Sequence, residues 1–132
     1  MSTRADIIIK DKYQTQRFRR HSDGYPEGAL PSLTTFMEWV RDGRIRDNVS
    51  QASGWLIMIG AMETNHIWNG KEYVEKESIT EPQEGSMGWK VGNYEPMDTA
   101  CDDAEYEYTL DLDAMTIRTR DIYANTSTTV CI

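Results

Sequence analysis

The sequence predicts an α+β fold, an antiparallel sheet with two helices packed on one face, and three observations carry that prediction. Tyr106, Tyr108, Leu110 and Leu112 alternate with Glu105, Glu107, Thr109 and Asp111, the period of two of a half-buried antiparallel strand. Leu33, Phe36, Met37 and Val40, and further on Val49, Ala52, Leu56 and Ile59, recur at the spacing of amphipathic helices. Ile7, Ile8 and Ile9 form a β-branched run between Asp6 and Lys10. With 132 residues the chain fits a single α+β domain over 1–132. A domain of that size hides roughly 65 to 70% of its extended-chain surface on folding, enough for one core.

The isoleucine run has apolar neighbours on both faces and reads as a central strand. After Asp11-Lys12, the segment Tyr13 to His21 returns as a second strand, with Gln16, Phe18 and Arg20 on one face and Arg17, Arg19 and His21 on the other. Phe18 turns the first of these faces inward. Ser32 is a good N-cap for the first helix, and Gly43 stands where a left-handed C-cap is needed. Trp39 falls off the apolar stripe of that helix. Asp47 or Asn48 caps a second helix reaching Glu63. Trp55, Met58 and Met62 widen its stripe, which implies a helix buried against both the sheet and the first helix. Gly54 and Gly60 each cost about 1 kcal/mol relative to Ala inside a helix, pointing to close backbone approach at both.

Asn69-Gly70, between Ile67-Trp68 and Tyr73-Val74, reads as a hairpin turn in preference to the alternative, the end of the preceding helix. Glu81-Pro82-Gln83-Glu84-Gly85 reads as a surface turn, and a short strand around Trp89 and Val91 should stop at Pro96. The late alternating strand takes Met115 to Ile122 as its partner, with Asp113-Ala114 as the turn. That pairing sets Leu110 opposite Ile117 in the core and Glu107 opposite Arg120 on the outer surface. No repeat or low-complexity segment is visible.

Charged residues at 27% and apolar residues at 39%, with four Trp and seven Tyr, place the chain among folded rather than disordered domains. The net charge is -8 and unevenly spread: residues 1–47 hold nine Lys/Arg against seven Asp/Glu, and residues 48–132 hold five against fifteen. Such acidity repels bare nucleic acid and anionic membrane, and attracts basic surfaces such as those of nucleic-acid-handling proteins. Solubility is the plainer reading of the same charge. Cys101 and Cys131 are too few for a disulfide framework, and the first residues lack the apolar core of a signal peptide, so the cytoplasm is the expected location. The dense apolar stretch Trp55 to Ile59, with Ala61 and Met62, falls short of the ~20 residues that cross a bilayer. Asn125-Thr126-Ser127 has sequon spacing but no consequence without export.

The run Arg20-His21-Ser22-Asp23-Gly24-Tyr25-Pro26-Glu27-Gly28 packs two glycines, a proline and one of two histidines between a strand and a helix. Loops of that composition, held by a scaffold, are where binding residues gather. His21 and Asp23 suggest a hydrogen-bonded acid–base pair with Arg20 free to hold an anion. The structural alternative is a turn in which Asp23 accepts backbone N–H bonds and Gly24 takes positive φ. Neither a nucleophile elbow nor a metal-ligand set accompanies the pair, so no catalytic residue is assigned. His21, His66, Cys101 and Cys131 are dispersed without metal spacing; no metal or cofactor is expected, and both cysteines read as buried hydrophobes.

Two binding surfaces are legible. Lys10, Lys12, Arg17, Arg19 and Arg20 with Tyr13, Phe18 and Tyr25 form a mixture that holds phosphates and stacks on bases. From it comes one candidate set, Arg17, Arg19, Arg20, His21, Asp23 and Tyr25, for a phosphorylated small molecule. No glycine-rich phosphate loop accompanies it. Glu72, Glu75, Glu77, Glu81, Glu84, Glu95, Asp98, Asp102, Asp103 and Glu105 supply the opposite surface, carboxylates standing where a DNA-binding protein expects phosphates. Its expected partner-binding core is Glu95, Asp98, Asp102, Asp103 and Glu105.

The pattern Tyr/Phe-x-Arg-His-x-Asp-Gly-Tyr-Pro-x-Gly, here Phe18 to Gly28, precedes a helix, a glycine-interrupted second helix over 51–61 and a Glu105-Tyr106-x-Tyr108 strand. Across most of its length the chain thereby resembles a family of small uncharacterised phage and prophage proteins. It departs from that family at Ser53-Gly54-Trp55, where a Gly-Met-Gly-like run is usual. The resemblance implies a setting rather than a mechanism, the cytoplasm of a phage-infected host. Small acidic phage proteins often block CRISPR or restriction complexes. The resulting expectation is a non-enzymatic counter-defence inhibitor that binds a basic host protein, without direct nucleic-acid or membrane contact. Its exposed aromatics leave room for a homodimer. A nucleotide-sequestering module and a His21/Asp23 enzyme are the alternatives.

Overall fold

Ile7 and Ile9 turn to one side of their strand and Asp6 and Ile8 to the other, and this split separates a buried from an open sheet face. The computed structural model describes residues 3–63, 66–68, 71, 73–75 and 93–132. In chain order the elements are β1 (Ala5–Lys10), β2 (Thr15–Arg20), α1 (Pro26–Arg41), α2 (Val49–Glu63), β3 (His66–Trp68), β4 (Tyr73–Glu75), β5 (Tyr94–Met97), β6 (Tyr106–Asp111), β7 (Thr116–Asp121) and β8 (Thr126–Cys131). Six of the strands form one sheet in the order β5-β2-β1-β6-β7-β8, and β3 pairs β4 separately. The fold is α+β, as expected, with the helices packed on the large sheet. The sheet is mostly antiparallel; β1 and β6 run parallel, with Ile7 beside Tyr108 and Ile9 beside Leu110.

Ile7, Ile9, Phe18, Tyr108, Leu110 and Ile117 from the sheet meet Leu33, Phe36, Met37, Val49, Ala52 and Leu56 from the helices in one core. The first hairpin holds the expected faces, with Phe18 and Arg20 buried and Arg17 and Arg19 on the open side. Leu110 pairs Ile117 and Glu107 pairs Arg120 in the register expected from the alternation. The connection is longer than a two-residue turn: Asp111 Oδ1 accepts the N–H groups of Asp113 and Ala114, both at 3.0 Å. Met115 then takes φ 57°.

Three helix expectations need correction. Helix α1 begins at Pro26 with Tyr25 as its N-cap, a full turn and more before Ser32. Pro26 fits the first turn, where its missing N–H has no intrahelical role, and the internal Pro31 is tolerated. Ser32 instead turns its hydroxyl back onto the Ala29 carbonyl at 3.2 Å. Gly43, at φ 78°, does terminate the helix as the sequence implies, and Asn48 caps α2 by accepting the Gln51 N–H at 3.2 Å. Among its described residues helix α2 is buried along Val49, Ala52, Leu56, Ile59 and Gly60; Trp55 and Met58 are 45% and 54% exposed. Gly60 meets a neighbour, since a Cβ there would lie 2.6 Å from Tyr94 Cδ2, whereas Gly54 has nothing within 4 Å.

Pro96 does not end a strand; it sits inside β5, at the sheet edge. The His21 N–H donates to the Asn93 carbonyl at 3.0 Å, and alternation from that pair turns the Pro96 nitrogen away from β2, where no donor is needed. The strands around Asn69-Gly70 form as a hairpin, with Ile67 opposite Val74. The turn at 81–85 and the strand expected around Trp89 and Val91 lie outside the described residues. The last strand, β8, was not expected from the sequence. Among the described residues, no helix is long and apolar enough to cross a membrane.

Candidate functional site

The β2–α1 loop and the β5–β6 segment lie side by side because β2 pairs β5, with Arg20 opposite Tyr94 and Arg19 opposite Glu95. Period two carries Arg20 under the helices. It is 1% exposed, and a charge so placed must be matched on every donor. Its Nε donates to the Asp23 carbonyl at 3.1 Å, Nη1 to the Tyr94 hydroxyl at 2.6 Å and Nη2 to the Gly28 carbonyl at 3.1 Å. The guanidinium also lies 5.1 Å from the centre of the Tyr94 ring. Tyr94 Oη and Ser32 Oγ are 2.8 Å apart. Because Ser32 gives its proton to Ala29, the order of donation is Arg20 to Tyr94 to Ser32 to Ala29.

The loop backbone is tied down as thoroughly. Tyr108 donates its hydroxyl to the Gly24 carbonyl at 2.7 Å, and burial pushes that phenol far above its ordinary value. The Gly24 N–H donates to the Thr3 carbonyl at 2.9 Å. Gly24 is needed for this approach rather than for positive φ: a Cβ would stand 2.8 Å from that carbonyl. The left-handed residue is Asp23, at φ 53°. Asn93, buried, accepts the Ser22 N–H on its side-chain oxygen at 3.2 Å.

Among the described residues no backbone N–H donates to the Asp23 carboxylate; it receives the Tyr25 hydroxyl at 3.3 Å, and its charge raises the Tyr25 pKa. The predicted His21–Asp23 pair does not form. His21 shares the open face with Arg19, diagonal to Glu95, and its Nε2 donates to Glu95 Oε2 at 2.6 Å. Arg20 is likewise not free for an anion. The six residues of the ligand set are therefore divided: Arg17, Arg19 and His21 on the open face, Arg20 beneath the helices, Asp23 and Tyr25 on the loop. Lys10 and Lys12 sit at the far end of the first hairpin, Lys10 with Asp111 at 3.7 Å and Lys12 over the Tyr13 ring. A shallow groove of about 510 Å³ beside the loop runs along α1 and is lined by Glu27 and Glu38 among others, the wrong charge for a phosphate.

The open face carries both signs across the sheet, Glu95, Arg19, Asp6, Glu107 and Arg120 standing in one row by register, with the two acids Asp6 and Glu107 side by side. The chain from β5 to β6 covers its middle. There the Cys101 N–H donates to Asp6 Oδ1 at 2.9 Å, and Arg17 Nη1 lies 3.9 Å from Asp6 Oδ2. Burial holds the Asp6 carboxyl above its ordinary value, against the pull of that N–H and of Arg17. Arg17 Nη1 and Arg19 Nε are buried without a hydrogen-bond partner.

Among the expected partner-binding acids, Asp98 and Asp102 are exposed and form no ion pair with a described residue. Asp103 is paired with Arg4 and also accepts the Cys101 thiol at 2.8 Å; those two contacts, the thiol first, lower its pKa. Glu95 is taken by His21, and Glu105 is half-buried. Burial raises the Cys101 thiol pKa, as suits a buried hydrophobe, but Cys131 is exposed, contrary to expectation. Among the described residues no group of three His, Cys, Asp or Glu side chains is placed to hold a metal ion. Sequence reasoning missed Tyr94, Asn93, Tyr108 and Asp6. Their partners lie tens of residues away, and only the inward phase of Arg20 hinted that a buried acceptor set had to exist. Comparison with protein-family models, curated proteins and solved structures finds no match to this chain.

Proposed function

We propose that the chain is a non-enzymatic binding protein of the phage counter-defence kind, engaging a basic surface on a host nucleic-acid-handling protein through Glu95–Glu105. The observation that carries this reading is the exposure of Asp98 and Asp102, neither in an ion pair with a described residue, in the same segment as Asp103 and Glu95. A net charge of -8 gives such a surface long-range reach. The binding reading gains further support from the loop, whose His21, Asp23 and Arg20 each serve a different neighbour. Glu95 and Asp103 already have partners, so Asp98 and Asp102 lead the contact.

The test is capture from host lysate, identification by mass spectrometry and titration of the purified partner at rising salt. Affinity is expected to fall steeply with salt, and Asp98→Lys with Asp102→Lys to weaken it at least about tenfold, or 1.4 kcal/mol. Binding indifferent to both would overturn the reading. The orphaned Arg17 and Arg19 donors favour a second one, a small anion on the open face, against which Asp6 and Glu95 weigh. Calorimetry against a nucleotide panel decides it: heat lost in Arg19→Ala supports it, and silence removes it.

A further inference from the structure

Strand β8 closes one edge of the sheet, and all six of its residues are exposed. Natural edges are commonly blunted by Lys, Pro, a bulge or a covering element. Thr126, Ser127, Thr128, Thr129, Val130 and Cys131 offer none of these and are rich in β-branched side chains.

The hydrogen-bond phase of this strand is fixed. The Ile132 N–H donates to the Met115 carbonyl at 2.9 Å. With the register Val130 to Ile117, Thr128 to Thr119 and Thr126 to Asp121, alternation sends the backbone groups of 126, 128, 130 and 132 toward β7. Those of Ser127, Thr129 and Cys131 point out of the sheet, where the described structure gives them no partner.

We propose that β8 pairs antiparallel with β8 of a second copy of this chain, about a twofold axis through Thr129, joining two sheets into one. Only this register pairs all three outward residues with one another: Thr129 faces Thr129, and Ser127 faces Cys131, each pair exchanging both N–H···O bonds. The second copy is the favoured occupant because the strand complements itself in this register. No charged side chain of β8 meets its like, although the chain carries -8. On the helix-side face, the row Leu110–Ile117–Val130 ends at a valine 49% exposed. The twofold sets the second Val130 on the same face at the diagonal position, about 7–8 Å away, and opposite Thr128. The contact is small, so the dimer is concentration-dependent.

This inference is independent of the acidic-surface reading, and salt separates the two. Screening the net negative charge strengthens self-pairing, whereas it weakens capture of a basic partner. In sedimentation of the intact chain up to millimolar concentration, a monomer–dimer equilibrium is expected that tightens with salt. Thr129→Pro removes an outward N–H and no β7 bond, so it should abolish the dimer while leaving circular dichroism and Tm unchanged. Thr129→Cys in a Cys131→Ser background should cross-link to itself on mild oxidation, since directly opposed residues lie about 5.5 Å apart at Cα, within disulfide range. Thr128→Cys in that background should not. A chain monomeric to millimolar concentration, a dimer that survives Thr129→Pro, or cross-linking at 128 rather than 129 would each overturn the proposal. So would a monomeric wild type that takes up an added extended peptide at β8.

Discussion

The two edges of the large sheet are built on opposite principles. At one, β5 is short, carries Pro96 with its nitrogen turned outward and Glu95 bonded to His21, and is braced from above where Tyr94 packs on Gly60. At the other, β8 is longer, uncharged, exposed on both faces and lined with unused backbone groups. Pro96 leaves the first edge short of an outward N–H, whereas no proline interrupts the second. The polar groups of the β2–α1 loop are thus bonded to their neighbours, whereas β8 keeps outward backbone groups in hand, so the loop with the richest residue types is the less free of the two regions.

Breaking the braced edge should have the largest effect. Arg20→Ala would take away the guanidinium that donates to the Tyr94 hydroxyl and to the carbonyls of Asp23 and Gly28, and urea unfolding is expected to show a loss of at least about 3 kcal/mol. A loss under about 1 kcal/mol would mean that water replaces the guanidinium and the loop is not clamped. Next in size are the two glycines of α2, expected to act with opposite signs. Gly60→Leu drives a side chain into Tyr94 and should cost about 2 kcal/mol by overpacking. Gly54→Ala, with open space at its Cβ, should gain about 1 kcal/mol of helix propensity. Equal effects at both positions would remove Tyr94 from the account of the edge. At β8, Thr129→Pro changes association and not stability, which sharpens the contrast.

What the sequence made legible follows the range of the interactions concerned. The β6–β7 register could be read because one strand's alternation and a nearby partner determine it, and Asn48 and Gly43 because caps are local. The parallel β1–β6 pair joins residues about a hundred positions apart, and nothing in the isoleucine run specifies direction. Ser32 misled because a capping residue directly precedes the apolar stripe that opens at Leu33; the helix instead starts at Pro26, a proline that fits the first turn. Thr126–Cys131 has no apolar alternation to announce a strand, since neither face is buried. Its signal lay in the turn before it, Asp121-Ile122-Tyr123-Ala124-Asn125, which repeats the Asp-x-x-Ala-x form of Asp111–Met115, with Asn125 at φ 55° as Met115 is at 57°. In the loop, period two had already placed Arg20 inward, and that phase should have outweighed its apparent availability to an anion.

The smallest expected effect concerns how the open face between the two edges is held. Asp6 is buried there with its pKa raised from 3.8, burial being the main cause. A folded pKa above the unfolded one means that the group's stabilising contribution is complete below about pH 3.8 and is lost as pH rises through the folded value. Asp6→Asn keeps an oxygen for the Cys101 N–H and removes the charge, so at pH 7 the variant should melt slightly above the parent, and the gap should close in acid. Asp11 has the opposite sign: its pKa is lowered, chiefly by the Tyr13 N–H, so its contribution is present at neutral pH and lost on acidification. Comparing melting curves of Asp6→Asn and the parent from pH 7 downward isolates the Asp6 term. If Asp6→Asn melts below its parent at pH 7, the Arg17 and Arg19 guanidiniums depend on that carboxylate. The open face is then held by the attraction of Asp6 to those two guanidiniums, and reversing any one of the three charges should weaken it.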